Sequence, residues 1–216
     1  MKQWFVSELQ ESLATSTHDV QMILNYAQAR KDLDGRHIGM YGQGSGGAIG
    51  ILAAAVDSRI TALQLVDPWG DWPDWLKNSK QIPEDERATY LEPNFLQKVA
   101  NLDPVLYLPK LKERSLRIQQ VLSDPVTPLE AKDKIAGAAP GTNEVIRYTD
   151  NEAQHKAIFM GGITEWLAEQ LHPVTITQTR KAGLPLSNPQ EGAEQNLADQ
   201  RTTSESHRID QQVRIP

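Results

Sequence analysis

The residues best suited to chemistry stand in one glycine-rich run, Gly42-Gln43-Gly44-Ser45-Gly46-Gly47. An apolar segment, His37–Tyr41, precedes it, and a stretch of small and apolar residues, Ala48–Val56, follows. This is the pattern of a buried strand, a tight turn and a helix packed closely on a sheet. Such a turn puts backbone N–H groups and one side chain at the end of a strand. The letters fit two chemistries. Gly42, Gly44 and Gly47 match G-x-G-x-x-G, in which the glycines let a helix N-terminus approach a dinucleotide pyrophosphate. Asp67 closes the next apolar run, about where that unit places an acid for a ribose hydroxyl, roughly 20 residues on. The alternative is G-x-S-x-G, a strained turn that presents a serine for covalent attack on a carbonyl. Ser45 is then the nucleophile, with Gln43 where the first glycine belongs.

Several elements must position this turn. Val20, Ile23, Leu24 and Ala27 recur at helical spacing, so an amphipathic helix is expected from Ser16, with Ser16 or Thr17 as its cap. Lys31–Gly35 ends it with turn residues. Ile60–Val66 reads as a second buried strand, Leu116–Leu122 as a third and Asn143–Tyr148 as a fourth. Thr127 and Glu130 form a capping-box pattern with Pro128 at the first helical position, and that helix runs to about Ala136. His155 falls in a polar loop before a last amphipathic helix marked by Ile163, Trp166, Leu167 and Leu171. Residues 67–115 interrupt the alternation as an insertion. It opens with Trp69, Trp72 and Trp75, three of the five tryptophans. These rings either pack the insertion onto the core or line an apolar pocket. Asp71 and Asp74 are expected to be solvated. The order of elements specifies an α/β fold with a parallel sheet.

Composition narrows the function. A net charge of -6 and a pI near 5.4 argue against nucleic-acid binding, which needs a basic face. Without cysteine there are no disulfides and no thiolate metal sites, and neither a metal nor a cofactor is expected outside the dinucleotide alternative. The start of the chain has no signal-peptide apolar region, and no apolar run is long enough for a membrane span, so a cytoplasmic setting is the default. The 216 residues have 39% hydrophobic content and a mean hydropathy of -0.50, low for one compact domain. The deficit falls in residues 172–216, which are polar, lack apolar periodicity and are expected to form a disordered tail.

The stretches Asp19–Tyr26, Arg30–Gly42 and Gly46-Gly47-Ala48, followed by Asp57–Ala62, Asp124–Pro128 and His155, resemble the α/β-hydrolase superfamily. The likeness is to its prolyl-oligopeptidase-like and dienelactone-hydrolase-like branches, and it spans Ser16 to Leu171. The resemblance implies the C-terminal half of that fold over residues 1–171, with 67–115 as a cap-like insertion. It also implies an order of nucleophile, acid and histidine, in which Asp124 orients His155 and His155 is the general base. Ser123 is a one-residue alternative to Asp124. Counted from the strand, the nucleophile position falls on Gly44, and Ser45 lies one residue beyond it. Two functions are thus open: a degenerate, non-catalytic relative that keeps Asp124 and His155, or an active serine hydrolase of ester or peptide bonds using Ser45. His18, His37, His172 and His207 have no partner identifiable from spacing. The strands that precede the turn in the family have no counterpart here. The expected consequence is an incomplete domain with a bare strand edge, prone to self-association or to pairing with a missing N-terminal half.

Overall fold

Four parallel strands carry the fold: β1 (Ile38–Gln43), β2 (Ile60–Val66), β3 (Ser115–Val121) and β4 (Glu144–Tyr148). They lie side by side in chain order, so β1 and β4 are the edges among the described residues. The computed structural model describes residues 2–141 and 143–171; the expected tail, 172–216, lies outside them. β2 is buried at every position but Thr61, which explains an apolar run without alternation.

Helix α1 (Lys2–Ala29) precedes the sheet and α2 (Ser45–Val56) follows β1. After β2 the insertion supplies α3 (Trp72–Asn78), α4 (Glu84–Tyr90), α5 (Pro93–Ala100) and two short 3-10 turns. α6 (Leu129–Ala138) joins β3 to β4, and α7 (Asn151–Ala157) leads through a π turn to α8 (Thr164–Leu171). Two glycines of β1 assign the layers. A Cβ at Gly42 would lie 2.5 Å from the Gly46 carbonyl oxygen of α2, and one at Gly39 would lie 3.1 Å from Leu167 and Leu171 of α8. Three residues apart, they point to opposite sides of the strand. α2 and α8 therefore cover opposite faces.

Three local expectations are corrected. α1 begins at Lys2, not near Ser16, and Thr17 donates to the Leu13 carbonyl at 2.7 Å from mid-helix instead of capping it. The first half of α1 survives because Leu9 and Leu13 bury against α2 and the insertion, and because Gln10 Nε2 reaches the Lys98 carbonyl of α5. Ile23, assigned to the core stripe, is exposed together with Met22 and Tyr26, while Val20 and Leu24 carry the packing. Asp71 and Asp74 are not simply solvated: both pair with Lys134 of α6, at 2.8 and 2.6 Å, and Asp71 is buried. Burial pushes the Asp71 carboxyl up to about 6.

The tryptophans pack the insertion. Trp72 and Trp75 are buried and meet edge to face, 5.9 Å between centroids, a geometry worth about 1 kcal/mol beyond area burial. The Asp103 carboxylate accepts the N–H groups of Asp71 and Trp72 at 2.9 and 3.0 Å, fastening the first turn of α3. No helix among the described residues is long and apolar enough to cross a membrane.

The glycines of the turn yield a paired prediction. Gly42→Ala forces a methyl against backbone and is expected to destabilise by about 1–3 kcal/mol. At Gly46 an added Cβ has nothing within 4 Å, so Gly46→Ala is expected to be neutral or to stabilise by up to about 1 kcal/mol through helix propensity. Urea unfolding of the two variants checks both signs.

Candidate functional site

The turn from β1 to α2 is one residue long. β1 ends at Gln43, α2 begins at Ser45, and Gly44 between them has φ 54° and ψ -120°. That conformation is disfavoured for any residue with a Cβ. Its amide donates to the Val66 carbonyl at 3.0 Å, and its carbonyl accepts from Trp69 N–H at 3.0 Å and Ala48 N–H at 3.2 Å. The apex is thereby tied to the end of β2 and to the start of the insertion. Asp67 and Asp71 also have positive φ, 42° and 56°. Strained backbone thus gathers at the C-terminal edge of β1 and β2, where parallel sheets commonly bind ligands.

A cavity of about 310 Å³ opens at this edge, lined by Gly44, Asp67, Trp69, Asp124, Gln154 and His155 among others. The structure thus brings the apex, Asp124 and His155 together. It places Ser45 elsewhere: Ser45 lines a neighbouring cavity, and Trp69 lines both. The Trp69 indole nitrogen lies 3.1 Å from the position a Cβ on Gly44 would take.

Asp124 works as a loop staple. Its carboxylate accepts the N–H groups of Val126 and Thr127 at 3.1 and 2.9 Å, a local turn typical of Asp. The Thr127–Glu130 capping box does not form, because the Thr127 hydroxyl turns instead to the Asp67 carbonyl at 3.4 Å and Pro128 is the N-cap residue. Lys132 of α6 is fully buried, with Nζ 3.2 Å from the Asp124 carbonyl oxygen and 3.6 Å from its carboxylate. Burial lowers the pKa of Lys132, opposed by the charges of Asp124 and Asp67. His155 lies on α7 rather than in a loop and is exposed. Among the described residues no hydrogen bond joins it to Asp124. Ser123 is exposed, and His37 pairs with Asp34 at the foot of β1, away from this edge.

Asp67 is the deepest acid of the cavity. Its carboxylate accepts Val121 N–H at 2.8 Å and the Gln154 amide at 3.2 Å. Each of its two oxygens thus already accepts one hydrogen bond from the protein. Burial raises its pKa, against the opposing effect of these two hydrogen bonds. The sequence hides Lys132 and Gln154 in this role; the one available signal is that Lys132 falls beside Ala131 on the stripe of α6 that ends in Ile135. Among the described residues no group of His, Cys, Asp or Glu is arranged to hold a metal ion.

Comparison with known proteins follows the same line. No protein-family model matches the sequence, and no curated protein matches it. Solved structures do. An acetyl xylan esterase from Paenibacillus sp. R4 superposes with TM-score 0.57 at 19% identity, over 72% of this chain and 52% of that one. A puromycin-hydrolysing peptidase of Mycobacterium tuberculosis gives 0.60 at 14% identity, over 72% and 25%. The α/β hydrolase GrgF from Penicillium sp. sh18 gives 0.53 at 12% identity, over 74% and 72%. The chain therefore has an α/β-hydrolase fold, with peptidases and esterases among its neighbours as the sequence resemblance implied. It spans about half of the esterase and a quarter of the peptidase.

The raised pKa of Asp67 has a stability consequence. Because the native state holds this proton more tightly than the unfolded chain, the contribution of the neutral carboxyl is fully present below the unfolded value of 3.8. It is lost as pH rises through the higher native value. Asp67→Asn keeps an acceptor for Val121 N–H and removes that loss. The difference in unfolding free energy between variant and wild type is expected to shift in favour of the variant from below pH 3.8 toward neutrality, as read by denaturant titrations across that range.

Proposed function

We propose that this chain is a non-catalytic α/β-hydrolase-fold protein that binds a small ester-like or peptide ligand in the cavity of Asp67, Asp124 and His155. The observation that carries this is the apex residue. Gly44 occupies the one-residue turn between strand and helix, where a hydrolase presents its nucleophile. It brings no side chain, and Trp69 stands against the space a side chain would enter. Asp124 and His155 remain beside it as polar groups for a ligand.

A second reading, an active serine hydrolase using Ser45, is favoured by the esterases and peptidases among the structural neighbours. Ser45 and His155 line different cavities, however, and among the described residues no base lines that of Ser45. The two readings separate cleanly. The wild-type chain is expected to take no covalent label from a fluorophosphonate probe at neutral pH. Labelling that disappears in Ser45→Ala would overturn the non-catalytic reading and establish the second.

The edge of β1 adds a partner to the proposal. Its backbone hydrogen-bonding groups face no strand on one side among the described residues, and α1 exposes Met22, Ile23 and Tyr26. Edges and apolar patches of this kind attract another chain. The isolated protein is expected to sediment as more than a monomer. A clean monomer with cooperative unfolding would count against this partner.

A further inference from the structure

We infer that the open cleft bordered by α1, α2 and the insertion is a second ligand site, for a small, neutral, largely hydrocarbon molecule with one hydrogen-bonding oxygen. The inference stands whether or not the turn at Gly44 is catalytic.

The cavity has a volume of about 410 Å³, within the range of small-molecule sites. Its wall from α1 is Leu9, Ser12, Leu13 and Ser16, spaced i, i+3, i+4 and i+7, so one face of the overhanging half of that helix forms it. Ser45 and Ile49, one turn apart on α2, form the second wall. Trp69 and Trp75, with ring centroids 4.7 Å apart and planes tilted by 40°, form the third. Gln81 and Ile82 complete the lining.

Two features select the ligand. First, among the described residues no charged side chain lines the cavity, although 23% of the chain is charged. An ionised guest would give up water without a counter-charge, so a neutral one is favoured. The adjoining cavity, with Asp67, Asp124 and His155, has the opposite character. Second, among the described residues none of the hydroxyls of Ser12, Ser16 and Ser45 is hydrogen-bonded within the protein. They offer donors and acceptors to a hydroxyl or carbonyl oxygen, while the leucines, isoleucines and indole rings take the hydrocarbon.

The test uses three probes with one carbon skeleton: 4-phenyl-1-butanol, 4-phenylbutyrate and 4-phenylbutylamine, titrated into the full chain. The alcohol is expected to change tryptophan fluorescence saturably, to bind about tenfold or more tightly than either ion, and to give intermolecular NOEs to the methyl groups of Ile49 and Ile82. Ser16→Phe, which fills the cavity from α1, is expected to weaken the alcohol by about tenfold or more, whereas His155→Ala in the adjoining cavity leaves it unchanged. Absence of saturable binding, or equal binding of all three probes, would overturn the inference. So would binding that survives Ser16→Phe but is lost in His155→Ala. The NOEs are read on the wild-type chain and stay decisive if Ser16→Phe does not fold; contacts to Val126 and Thr127 instead of Ile49 and Ile82 would place the alcohol in the adjoining cavity and refute it.

Discussion

The constraint on which the structure rests is the direct passage from β1 into α2 through one residue. A strand and a helix can meet so abruptly only if their backbones touch. Three missing side chains permit it: Gly42 lies against Gly46 and Gly47, Gly47 against Pro68, and Gly44 against Trp69. Each contact fixes something downstream. The first seats α2 on the sheet. The second steers the chain leaving β2. The third, with the hydrogen bond from Trp69 N–H to the Gly44 carbonyl, sets where the insertion departs. That one indole lines both cavities.

The interior beneath this edge is costly in polar groups. Asp67 and Lys132 are buried, and the side-chain amide of Gln64 is buried with no hydrogen-bond partner among the described residues. Groups of this kind lower stability relative to an apolar core. Their arrangement is ordered, however: Asp67 joins β3 to α7 through Val121 and Gln154, while Lys132 joins α6 to the Asp124 loop. The polar chain spans three connections that an apolar core would hold less specifically. It also holds the Asp124 loop to α6 independently of any contact with His155.

Much of the fold was legible because its strands are buried. Ile60–Val66 reads as a strand from its unbroken apolar run and has those bounds in the structure. The turn was legible from its glycines, and the placement of its apex at Gly44 followed from counting on from the strand and back from Gly46-Gly47-Ala48. The front half of α1 was not legible. It presents apolar side chains sparsely, at Leu9 and Leu13, and its packing partners are the insertion and α2, far along the chain. Ser16 and Thr17 have the composition of a cap but stand in mid-helix, where the Thr17 hydroxyl bonds back to the preceding turn. The same competition undid the Thr127–Glu130 box, because Asp124 took the Thr127 amide first. At the site, the types of Asp124 and His155 were readable, but that Ser45 lines a different cavity from them is a matter of tertiary position, to which spacing is blind. Lys132 was hidden for another reason: a lysine in a helix is ordinarily solvated, and only the packing of α6 buries it.

The length of α1 changes how the insertion can move. With 28 residues it extends roughly 42 Å, about twice the span of the strand it precedes. Its rear half is held in the sheet core by Leu24, and its front half is held to the insertion through Leu9, Leu13 and Gln10. One helix is thus held at two places along its length, to the insertion and to the sheet core. The helix is a splint: swinging the insertion open would require breaking α1 or peeling it from α2. The insertion and the sheet should therefore lose their structure together rather than in turn.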